Sequence, residues 1–207
     1  TLERGGFTDE QERELREWLE FNQDDVLGRL NLAQEAYRKG NFEDLNVWIE
    51  RMLDLDPSAG PMMMAGRLLH ASGQTEEAGD QFEDVVRRDP ENAEGWYVLA
   101  MFRGEQGDLD GALDAFRRTV VLNPEHARAW YNLGLAQIQR GNRTAGLLSL
   151  QRAETLSPDS ADAPYAAATV YAQDGSVEEA VDALRRGLKQ QPGHLPSQQL
   201  LRRLQSR

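Results

Sequence analysis

The chain has no cysteine, and among its 207 residues it carries only two lysines and three histidines. Without cysteine there can be no disulfide, no thiolate metal site and no thiol nucleophile, although the compartment is left open. No apolar run approaches the ~18 residues that a membrane-spanning helix needs, so no membrane insertion is expected. The chain opens TLERGG, with no initiator methionine, basic segment or apolar core of the signal-peptide kind. The expectation from this opening is a processed or excised piece, soluble in the cytoplasm, the periplasm or outside the cell. What is present is ordinary for a folded soluble protein: 40% hydrophobic and 28% charged residues.

The net charge of −12 is unevenly distributed. Residues 1–58 hold 7 basic and 15 acidic groups, residues 59–126 hold 6 and 13, and residues 127–207 hold 10 and 7. Phosphate binding needs a concentrated positive field, so this balance argues against nucleic acid as a partner. It is compatible with a plain solvated surface. It is also compatible with attraction between opposite ends, either among copies or towards a charged partner.

DPENAEGWYVLA at 89–100 is followed 34 residues later by NPEHARAWYNLG at 123–134. Prolines recur at Pro57, Pro90, Pro124, Pro158 and Pro192, and glycines at Gly40, Gly73, Gly107, Gly141 and Gly175. Two structure breakers locked in phase over five periods mark an internal repeat. Between each proline and the next glycine lies a helical stripe, such as Trp96, Leu99, Ala100 and Arg103 or Trp130, Leu133, Gly134 and Gln137. Between glycine and proline runs a second stripe: Ala78, Phe82 and Val85; Ala112, Phe116 and Val120; Ala180, Leu184 and Leu188. The glycine turns the chain and the proline ends the second helix, with Asp108 and Ser176 expected as N-caps and Ser176 with Glu179 as a capping box. Each unit is thus a helical hairpin.

Trp-x2-Leu-Gly/Ala, a turn glycine, Ala-x3-Phe and a closing proline over 34 residues resemble the tetratricopeptide repeat (TPR). The resemblance is fullest in 93–126 and weakest in 26–58, where Leu45 and Ile49 hold the second helix. Unit 127–160 has Gly146 and Leu150 where alanine and an aromatic are usual, and unit 161–194 has Pro164 in place of the tryptophan. Small residues expected at helix crossings, Ala33, Gly66, Ala100, Gly134 and Ala168, run through all five. The resemblance implies an all-α fold, a right-handed superhelical solenoid of five TPR hairpins at 26–58, 59–92, 93–126, 127–160 and 161–194. Segments 1–25 and 195–207 are expected as N- and C-terminal capping helices. Leu15, Trp18, Leu19 and Phe21 would give the first its apolar side, and Leu200, Leu201 and Leu204 the second.

Signs of chemistry are sparse. His70, His126 and His194 lack metal-ligand spacing, and His126 and His194, just after repeat prolines, suit turn or capping roles. There is no phosphate-cradling glycine loop and no nucleophile elbow, so neither an enzyme nor a cofactor is expected. In the resembled family the first helices line a concave groove. The residues expected there for peptide binding are Met63 and Arg67; Glu94, Tyr97, Val98 and Met101; Arg128, Tyr131, Asn132 and Leu135; and Tyr165. Tyr97, Tyr131 and Tyr165 recur every 34 residues and would form a ladder, either packing between helices or presenting flat amphipathic contact area. Chaperone-binding relatives hold a partner's terminal carboxylate with a lysine–asparagine–arginine clamp; Tyr97 and Met101 stand at the corresponding positions, so that specificity is not expected. The leading reading is a non-catalytic scaffold that binds a protein, peptide or helix. The alternatives are a self-assembling or spacing module and a regulatory domain for an adjacent enzyme or redox domain.

Overall fold

A computed structural model of the chain describes residues 6–206. Twelve α-helices and no strand occupy the described residues: α1 (Asp9–Phe21), α2 (Val26–Lys39), α3 (Phe42–Leu55), α4 (Ala59–Ala71), α5 (Thr75–Arg88), α6 (Ala93–Glu105), α7 (Leu109–Leu122), α8 (Ala127–Gln139), α9 (Arg143–Leu156), α10 (Asp162–Gln173), α11 (Val177–Gln190) and α12 (Leu195–Gln205). This is the all-α helical repeat expected from the sequence. The chain forms two compact units, 1–98 and 99–207, divided within α6.

In the first unit α2 packs on α3 and α4 on α5; in the second, α8 packs on α9 and α10 on α11. The five turn glycines all sit at φ between 68° and 90°. A Cβ at any of them would meet nothing within 4 Å. The demand at these positions is therefore conformational rather than steric, a left-handed residue that lets the chain leave one helix and enter the next. Several helix starts are capped by side chains. Asp108 accepts from Gly111 N–H, and His126 accepts from Ala129 N–H through Nδ1. Ser176 is different from the expected capping box: its side chain makes no cap hydrogen bond, and α11 starts on the serine's backbone carbonyl, which accepts from Ala180 N–H.

The repeat tryptophans join packing to linkage. Trp96 and Trp130 each donate an indole N–H to a repeat-proline carbonyl, Pro90 and Pro124, at 2.9 Å. In α12 Gln198 takes the same place and donates to Pro192 at 2.6 Å. Pro164 has no N–H to give, so its unit keeps the apolar filling without this latch.

The crossing residues explain one departure from the repeat pattern. Gly66 lies where a Cβ would run into the Phe82 ring. In the α8–α9 hairpin both partners are glycine: a Cβ on Gly146 would come within 2.8 Å of the Gly134 carbonyl and also strike Ile138. The backbones there touch, so alanine does not fit.

At the N-terminus a capping box is present, with Thr8 and Gln11 bonded reciprocally. The apolar side of α1 is narrower than expected, since Leu19 alone is buried while Trp18 is 54% and Phe21 86% exposed. Ion pairs hold the helix down instead. Arg16 bridges Glu12 and Asp44 at 2.7 and 2.8 Å, and Lys39 reaches Glu12 at 2.7 Å and Asp9 at 3.1 Å. The guanidinium groups of Arg16 and Arg51 lie over the buried Trp48 ring, 5.2 and 5.0 Å from its centroid. Hydrogen bonds from Lys39, then Arg16, hold the Glu12 carboxyl below its ordinary pKa.

Two predictions follow from these contacts. Gly146→Ala should destabilise the second unit by about 1–3 kcal/mol in urea unfolding, because overpacking outweighs the gain in helix propensity. Glu12→Gln should lower the urea midpoint at pH 7. A depressed carboxylate stabilises the folded state above its unfolded pKa, roughly 4.3, and that contribution is lost as the pH falls through the lower folded value. The gap between wild type and Glu12→Gln should therefore close across that acidic window.

Candidate functional site

The first helices carry the residues singled out in the sequence, and each unit arranges its own set. In the first unit Met63 is half-buried on α4 beside the exposed Arg67, whose Nη2 lies 3.9 Å from Glu94 Oε1 on α6. Two expected groove residues from successive repeats thus face each other as an exposed, weak ion pair. Tyr97 is half-buried. Val98 is only 8% exposed and belongs to the core, against its expected place on the binding surface. Its branched apolar side chain is taken inward as part of the helix's packing face.

The second unit holds the better-formed site. Arg128, Tyr131, Asn132 and Leu135 stand at i, i+3, i+4 and i+7 on α8, so one face presents all four. They border two cavities of different character. The first, about 250 Å³, is lined by Ala100, Met101, Gly104, Phe116, Asn132 and Leu135 among others. Asn132 Nδ2 lies 3.1 Å from Met101 Sδ across it, and both Met101 and Leu135 are exposed. The second, about 290 Å³, is lined by Arg128, Tyr131, Ser157, Ser160 and Asp162 with small alanines behind them.

Asp162 and Ser160 in this second region were not singled out from the sequence, and His194 only as a turn or capping residue. Asp162 accepts from Ser160 Oγ at 3.0 Å and lies 3.6 Å from His194 Nε2. The His194 ring meets Tyr165 edge-on, with centroids 5.5 Å apart. Nδ1 of the same ring caps α12 by accepting Ser197 N–H at 3.3 Å, so in the neutral form the proton sits on Nε2, towards Asp162. The capping role expected for His126 and His194 is thus present, and His194 additionally props Tyr165. The signal was available: Asn92, His126, Ser160 and His194 recur every 34 residues at the first-helix starts. Burial raises the Tyr131 pKa above its ordinary value, with Asp162 and Tyr165 adding to it.

A larger cavity, about 650 Å³, is bordered by Leu147, Leu148 and Tyr171 on the side of the second helices α9 and α11. At one end Arg186 forks onto both oxygens of Glu154 at 3.0 and 3.3 Å. Nothing in the helix-period reading pointed to it, because Leu148 is an exposed residue at a position where three other repeats carry aspartate, Asp80, Asp114 and Asp182. Among the described residues no cluster of histidine, aspartate and glutamate could hold a metal ion, and no helix is long and apolar enough to cross a membrane.

The family model described as tetratricopeptide repeat matches residues 63–120, 103–161 and 137–194, well over half of the chain. The chain belongs to the tetratricopeptide repeat family. Among solved structures it is similar to MamA, at 22% identity and a TM-score of 0.68, over 78% of this chain and 95% of that one. It is also similar to YrrB, described as a TPR protein with an unusual peptide-binding site, at 24% identity and a TM-score of 0.68, over 90% and 96% of the two chains. The C-terminal part of a TPR repeat-containing protein from Cytophaga hutchinsonii gives a TM-score of 0.73 at 16% identity, over 89% of this chain and 74% of that one. At these identities the likeness is one of fold. Comparison with curated proteins gave no match.

Asp162→Asn should lower the Tyr131 pKa towards its ordinary value without restoring it fully, since burial is the larger cause. Ultraviolet titration of the variant against a Tyr131→Phe control checks this; an unchanged Tyr131 midpoint would show that the carboxylate does not act on the phenol.

Proposed function

We propose that this protein is a non-catalytic interaction scaffold whose first-helix surface binds a peptide or helix of a partner protein. The observation that carries the reading is the α8 face, where Leu135 and Asn132 border an apolar cavity while Arg128 and Tyr131 border a polar one. A cavity of about 250 Å³ suits one large apolar side chain of a ligand. The polar cavity offers a guanidinium, a phenol, two serines and a carboxylate for charged or amide groups. Seven helical residues span about 10.5 Å. An apolar anchor and a polar residue of the partner would match that interval three residues apart in an extended strand, at ~3.3 Å each. In a helix they would match it at i and i+7. Tyr131 and Tyr165 add flat amphipathic area that costs little entropy to order. Membership of the repeat family supports binding as the mode of action, and the peptide site described for YrrB supports a peptide as the ligand class.

The test is selection of a random displayed peptide library on the full chain, followed by affinity measurement. The selected peptides should share an apolar anchor. They should lose at least about tenfold in affinity, roughly 1.4 kcal/mol, to a Tyr131→Ala/Tyr165→Ala variant whose helical circular dichroism is unchanged. Peptides that bind this folded variant as well as wild type would overturn the reading.

A further inference from the structure

The two ends of the chain carry complementary surfaces that the first-helix site does not use. On α1, Glu10, Glu14, Glu17 and Phe21 fall at i, i+4, i+7 and i+11, on the side opposite the buried Leu19. This outer face is acidic with a large apolar residue at its end, and Trp18 flanks it with its indole tied to Asp25 at 3.3 Å. Glu10, Glu14 and Glu20 are exposed and enter no ion pair among the described residues, while Glu17 makes one loose contact with Arg13 at 3.9 Å. A helix meant only to close a hydrophobic array would present a polar outer face. Phe21, 86% exposed, and Trp18, 54% exposed, make the end of this face apolar instead.

The other end is the reverse. After Asp182 the chain has no acidic residue and six basic ones. Leu200 and Leu204 of α12 are buried against Leu184 and its neighbours on α11. That leaves Leu195, Gln199 and Arg202, at i, i+4 and i+7, on the outer face, with Leu195 64% exposed. Arg202, Arg203 and Lys189 are exposed and have no carboxylate partner among the described residues, whereas Arg186 is already engaged by Glu154. One end therefore offers unpaired acids around an exposed aromatic, and the other unpaired bases beside an exposed leucine.

We propose that a second copy of this chain covers the α1 face: the basic outer face of α12 in one molecule docks on the acidic, aromatic face of α1 in the next. The contact is head-to-tail, so it joins different patches on the two partners and extends into rings or filaments rather than stopping at a two-fold dimer. Charge steers the encounter and fixes the pairing, while Phe21, Trp18 and Leu195 supply the apolar area. Because the charges are exposed, association should weaken as salt shortens the screening length from about 10 Å at 0.1 M to about 3 Å at 1 M.

Sedimentation velocity on the full chain from micromolar to several hundred micromolar tests this, at low and high salt. Wild type should form species larger than dimers at low salt and shift towards monomer at high salt. Glu14→Lys/Glu17→Lys and Arg202→Glu/Arg203→Glu should each remain monomeric alone. Their equimolar mixture should assemble again, because each supplies the end that the other lacks and the reversed ends also match. All substituted residues are exposed, and circular dichroism confirms that both variants are folded. A wild type that stays monomeric throughout would overturn the proposal, as would variants that assemble like wild type or a mixture that stays monomeric. A symmetric dimer that stops growing would overturn it too. Binding of the selected peptides is read separately and should be unaffected by either charge-reversed variant.

Discussion

Everything that recurs in this protein depends on one backbone demand. At each hairpin turn the chain must pass through a left-handed residue, and glycine does so without the steric cost that a Cβ imposes on the backbone. The space around the five turn glycines is open, so no side-chain packing explains them. Their regular interval sets the phase of all else: the caps two residues after Pro90, Pro124 and Pro192, the two tryptophans that reach back to a proline carbonyl, and the small residue at the crossing. A single helical hairpin cannot bury its own apolar stripe, so phase is also what lets neighbouring hairpins share one core.

Within that frame, close approach is negotiated pair by pair. Where a large ring fills the crossing, as Phe82 does against Gly66, one partner gives up its Cβ. Where neither helix supplies a ring, Gly134 and Gly146 bring the backbones together directly. Read as sequence, Gly146 is a lapse from the repeat pattern. In the structure it is the alternative solution to the same volume problem, smaller residues allowing shorter distances.

The fold was legible because it rests on periodicity, and periodicity survives loss of individual residues: Pro164 in place of tryptophan changes a hydrogen bond but not the phase. Hairpin partners, turn glycines and the caps at Asp108, His126 and His194 could be read from spacing alone. The candidate site was legible only in part. The α8 face followed from the i, i+3, i+4, i+7 rule, but burial of Val98 did not, since a valine next to a surface position has no pattern of its own. Asp162 and His194 were missed as neighbours of Tyr131 and Tyr165 because one begins α10 and the other precedes α12. Helix periodicity describes residues within an element, whereas cavities form where the ends of different elements meet. Ser176 shows the converse limit, a good capping sequence whose backbone bonds already hold the turn.

Charge adds a second kind of order, independent of the repeat. Ion pairs at Glu12, Arg16 and Lys39 are used locally, to fasten a helix that buries a single leucine. The acids on the outer face of the same helix have no such employment, and neither do Arg202 and Arg203 on α12. Keeping those charges unpaired costs little in water, because exposed ion pairs contribute only ~0–1 kcal/mol each. Folding therefore places little constraint on them, and their segregation by sign towards the two chain ends has no explanation in the stability of one molecule. Exposed Phe21 and Leu195 point the same way, since each sits among the charges that would bring its opposite number into contact. What stability does not require, recognition can use: the repeat builds the molecule, and the residues left outside its rules are where contact with other molecules is written.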